Sequence, residues 1–90
     1  MSEKLKTKTE KYEQLLEAAL TEASPAQEQA AAGKECIEMA QSYLRDGQHF
    51  KQNDDLVNAL AAFSYGHGWL DAGARVGVLE VPTQGHLFTQ

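Results

Sequence analysis

Between Leu56 and Leu79 the chain carries only two formal charges, Asp71 and Arg75, and apolar residues recur almost all the way round a helical wheel. Leu56, Leu60, Phe63, Leu70, Ala74 and Val78 form one stripe at helical spacing, and Ala62, Tyr65, Trp69, Ala72 and Val76 form a second. A helix that is apolar on most of its circumference has to be enclosed by neighbours. The segment is therefore expected as the most buried helix of the domain, over residues 55–78.

Its centre, AFSYGHGWLDAGARVG at residues 62–77, superficially resembles a glycine-rich phosphate loop. A dinucleotide loop needs a strand before it and a fresh helix after it, and a P-loop needs Gly-Lys-Ser/Thr. Here the helical period runs straight through. Gly66, Leu70, Gly73 and Gly77 follow one another at steps of four, three and four, which lines them along one side of the helix. Each glycine costs a helix interior about 1 kcal/mol relative to alanine, so close packing of another element into that groove has to offset the loss. Gly77 is also placed to end the helix.

Two further helices are legible upstream. Leu5, Tyr12, Leu16, Ala19 and Ala23 give an amphipathic helix over 4–23, interrupted by Ser24-Pro25. Proline disfavours helical geometry in the residue before it and suits the first turn of a new helix, so a second helix is expected over 26–52. On it Cys36, Met39, Ala40, Tyr43, Leu44, Gly47 and Phe50 share one side, with Glu35, Glu38, Gln41, Arg45 and His49 opposite. The turn Asn53-Asp54-Asp55 reads as a cap for the third helix, because carboxylates accept from its first N–H groups and suit its positive end. A calcium loop would add a glycine and spaced acidic residues, which are absent. Pro82 and Gly85 then end regular structure, leaving an irregular tail, 80–90, whose Leu87 and Phe88 need cover. The expected fold is all-α: a single compact antiparallel three-helix domain over 1–90, with helices two and three as a tight hairpin and helix one packed across them.

Composition narrows the function. A net charge of −5 argues against nucleic acid, which demands a concentrated basic footprint. Lys4, Lys6, Lys8 and Lys11 are interspersed with Glu3, Glu10 and Glu13 and read as a solvated helix start. No apolar run approaches the roughly 20 residues that span a bilayer, so no membrane association is expected. A lone cysteine excludes an intrachain disulfide, and the N-terminal stretch is too polar for a signal peptide; a cytoplasmic setting is expected.

His67 and Asp71 stand four residues apart, within reach of each other on a helix, and a carboxylate that orients an imidazole is a common way to set its tautomer. A nucleophile is missing, since Cys36 falls on the core side of its helix. A metal site would have to recruit His49 or His86, with no recognisable ligand spacing. No enzyme activity, cofactor or metal is therefore expected. Tyr65 and Trp69 lie on the second apolar side of helix three, where the tail, helix one, another copy or another protein would cover them. The candidate binding surface is Tyr65, His67, Trp69 and Asp71. The expected role is non-enzymatic protein interaction or self-association through helix three, a homodimer included. The alternative is a small-molecule or metal-binding site around His67 and Asp71.

The stretch YLRDGQHFKQNDDLVNALAAFSYGHGWLDAGARVG, residues 43–77, and within it SYGHGWLDAG, resembles the archaeal family catalogued as domain of unknown function 357; KYEQLLEAAL in helix one is compatible with it. The resemblance implies a small compact all-helical domain of about three helices, with VPTQGHLFTQ as a subgroup extension. It implies no reaction, cofactor or site residue.

Overall fold

The computed structural model describes residues 2–82 and 88. Helices α1 (Glu3–Glu22), α2 (Ala30–Gln52) and α3 (Leu56–Arg75) make an all-α, three-helix domain, as the periodicity predicts. Among the described residues, two two-residue strands, β1 (Ser24–Pro25) and β2 (Leu79–Glu80), and one turn of 3-10 helix at Gln27–Gln29 complete the regular structure. Among the described residues, no helix is long and apolar enough to cross a membrane.

Local chemistry sets most helix ends. Ser2 caps α1, its hydroxyl accepting from the Leu5 N–H at 3.1 Å. In the α2–α3 turn the Asn53 side chain donates to the His49 carbonyl at 3.0 Å. Asp54 takes up the left-handed conformation, φ 61°, which aspartate tolerates better than most residues. Asp55 is the N-cap of α3, accepting from the Asn58 backbone N–H at 3.3 Å and from its side-chain amide at 2.7 Å. The acidic turn thus performs the capping expected of it. At the far end Gly77 has φ +87°, Val78 N–H reaches the Gly73 carbonyl at 2.9 Å and Gly77 N–H the Ala74 carbonyl at 3.3 Å. These paired bonds form a Schellman motif, which stops α3 at Arg75, three residues short of the expected end.

The start of α2 differs more. It begins at Ala30, not residue 26, because Pro25 lies in an extended strand instead of a first helical turn. β1 and β2 pair antiparallel, Ser24 opposite Glu80 and Pro25 opposite Leu79, and the Ala26 N–H donates to the Val78 carbonyl at 2.9 Å. The first residue of the expected irregular tail, Glu80, accordingly belongs to a strand. Gly33 lies beneath this pair; a Cβ there would collide with the Val78 carbonyl oxygen and stand 2.9 Å from Pro25 Cα.

Packing centres on α3. It contributes seven buried residues against three from each of the other helices, and both of them pack on it more extensively than on each other. Leu16, Ala19, Ala40, Ala59, Phe63 and Leu70 are wholly shielded from solvent, with Leu79 and Phe88 closing the cluster. The groove expected from the glycine spacing is filled by the same chain. A Cβ on Gly66 would lie 2.8 Å from Leu16 Cδ2, 3.0 Å from Tyr43 Cβ and 3.2 Å from the Ala40 carbonyl; one on Gly73 would lie 2.7 Å from Leu79 Cδ1 and 3.3 Å from Cys36 Sγ. Gly47 of α2 similarly makes room for the Phe63 ring. Away from the apolar core, Lys51 Nζ meets Glu13 Oε1 at 2.6 Å and the Gln48 amide donates to Glu13 Oε2 at 3.2 Å, tying α1 to α2.

Candidate functional site on the open face of α3

With α1 and α2 against it, α3 keeps one strip in solvent, recurring as Val57, Ala61, Ser64, Tyr65, Gly68, Trp69, Ala72 and Val76. Tyr65 is 66% exposed and Trp69 39%, with Val57 at 63% and Val76 at 72%. Such apolar exposure in one strip differs from singly scattered surface hydrophobics. The Tyr65 ring leans toward α2, its centroid 5.8 Å from that of Tyr43. Tyr65, Trp69, Ser64, Gly68 and Ala72 line a shallow hollow of about 380 Å³. At its floor a Cβ on Gly68 would meet nothing within 4 Å, unlike Gly66 and Gly73 on the same helix. Phe88 does not cover this strip: it is buried in the core, its ring 6.1 Å from that of His67. Leu87 lies outside the described residues.

His67 and Asp71 occupy the opposite flank, toward α1. His67 Nδ1 stands 3.2 Å from Asp71 Oδ2, with the two side chains 19% and 29% exposed. With Tyr12 and Leu15 of α1, and with Ser64 and Gly68, they line a hollow of about 310 Å³. The pair is the half-buried histidine with a carboxylate partner that its spacing predicts; a proton on Nδ1 directed at Asp71 leaves the lone pair on Nε2.

The four candidate residues therefore form two candidate sites, not one. Tyr65 and Trp69 differ from His67 and Asp71 by two positions, which on an α-helix is roughly 200° of rotation. That separation was present in the spacing, yet it becomes a division between surfaces only once α1 and α2 fill the sides. Gly68, by contrast, stands out only from its surroundings, because nothing in the sequence distinguishes it from the neighbouring glycines that are packed over.

Other polar residues do not extend either site. Cys36 is half-buried beside Gly73, and His49 is exposed on α2 and hydrogen-bonded to Asn53. His86 lies outside the described residues. Among the described residues no three His, Cys, Asp or Glu side chains gather as a metal-binding group, and no buried side-chain nitrogen or oxygen lacks a hydrogen-bond partner. Lys4, Lys6, Lys8 and Lys11 are all exposed along α1.

Comparison with known proteins bears on the fold. The family model described as protein of unknown function, DUF357, matches residues 11–79, which takes in most of α1 and all of α2 and α3. The crystal structure of protein AF1782 from Archaeoglobus fulgidus, assigned to the same family model, is similar with a TM-score of 0.76 at 24% identity, over 89% of this chain and 96% of that one. No curated protein matches the sequence.

Proposed function

The chain belongs to the DUF357 family of proteins of unknown function, and from that premise we propose that it is a non-enzymatic protein-interaction module whose contact surface is the open face of α3. The observation that carries this reading is the exposure of Tyr65 and Trp69 side by side above the unfilled space at Gly68. Tyrosine and tryptophan are the side chains that most often anchor interfaces, because each brings a large rigid apolar body with a polar tip. Both are held by a helix whose other side is locked into the core, so the surface is preformed and little ordering entropy is lost on contact.

The test is affinity capture with the folded protein as bait, comparing wild type with Trp69→Ala and Tyr65→Ala. Specific capture of a protein, lost in both variants while their helical circular dichroism and melting temperatures stay near wild type, is the expected result. Capture that is indifferent to both substitutions removes the reading.

A second reading places a small ligand in the α1–α3 hollow, where His67 and Asp71 are joined by the Tyr12 and Ser64 side chains. NMR titration of the His67 ring with divalent metals and nucleotides tests it; an unmoved resonance with every ligand ends that alternative.

A further inference from the structure

We draw no further inference here: the strongest candidate, the exposed aromatic strip of Tyr65 and Trp69 beside Gly68 on the open face of α3, carries nothing beyond the interaction reading above, because nothing in the structure shows what covers it.

Discussion

Gly66 and Gly68 sit two residues apart in the middle of α3, and replacing each with alanine separates backbone propensity from packing. Both substitutions gain the same intrinsic term, about 1 kcal/mol for alanine over glycine in a helix interior. At Gly68 nothing lies within 4 Å of the new methyl, so the gain is realised in full. A domain of this size shifts its melting temperature by roughly 4–8 °C per kcal/mol, and Gly68→Ala is expected to melt that much higher. At Gly66 the methyl meets Leu16 Cδ2 at 2.8 Å, Tyr43 Cβ at 3.0 Å and the Ala40 carbonyl at 3.2 Å. Leu16 is fully buried, and the Ala40 carbonyl belongs to α2 itself, so relief requires the helices to part. Overpacking of this kind costs typically about 1–3 kcal/mol, and with helix backbone among the obstacles the upper end applies. The net for Gly66→Ala is a loss of about 2 kcal/mol and a melting temperature lower by roughly 10 °C. Thermal melts followed by circular dichroism at low micromolar concentration measure both. A Gly66→Ala protein as stable as wild type, or a Gly68→Ala protein less stable, refutes the assignment of one glycine to the core and the other to an open surface.

Two further outcomes test the core and the polar tie between helices. Phe63→Ala empties the space above Gly47 and is expected to cost about 3–5 kcal/mol in urea unfolding, with helix content retained in whatever fraction stays folded. The hydrogen bond that Lys51 donates to the Glu13 carboxylate raises the Lys51 pKa above its ordinary 10.5, against the opposing effect of burial. A raised folded-state pKa means that this contribution is fully present below 10.5 and is lost as pH climbs through the folded value. Unfolding free energy measured through this alkaline window should therefore decline, and Glu13→Gln should flatten that part of the decline. Because Lys51 is more than a third exposed, the pair's contribution is screened and should stay below about 1 kcal/mol.

The division between the two α3 surfaces changes what the candidate residues mean. Tyr65, His67, Trp69 and Asp71 form a single cluster when read along the chain, but a pocket that joins them would need side chains from opposite sides of one helix. The structure offers a neutral aromatic strip on the α2 side and a hydrogen-bonded His–Asp pair on the α1 side, with Gly68 lining both hollows. Substitutions at Trp69 and at His67 consequently probe different hypotheses.

Periodicity, capping and glycine chemistry were readable without coordinates. The three helices follow from apolar spacing, Asp55 from the preference of carboxylates for helix starts, and the filled groove at Gly66 and Gly73 from the need to offset two glycines. All of these are local effects, or local effects plus a demand for some neighbour. The neighbour's identity was not readable. Met39 belongs to the apolar side of α2 by spacing yet is 37% exposed, and Ala62 shares the Tyr65–Trp69 stripe yet is only 5% exposed. The Ser24–Pro25 pairing with Leu79–Glu80 joins residues more than fifty positions apart, and no pattern in either dipeptide announces it.

What the sequence determined by itself is therefore a set of helices, their ends, and the requirement that α3 be enclosed. It left open how much of α3 a three-helix domain can enclose, because two neighbours cover only part of a helix that is apolar nearly all round. Tertiary structure decided that question by the placement of α1 and α2, which bury Phe63, Gly66, Leu70 and Gly73 and leave Tyr65, Gly68, Trp69 and Val76 in water. Apolar character sets the demand for burial residue by residue, but the crossing of whole helices determines which residues have that demand met.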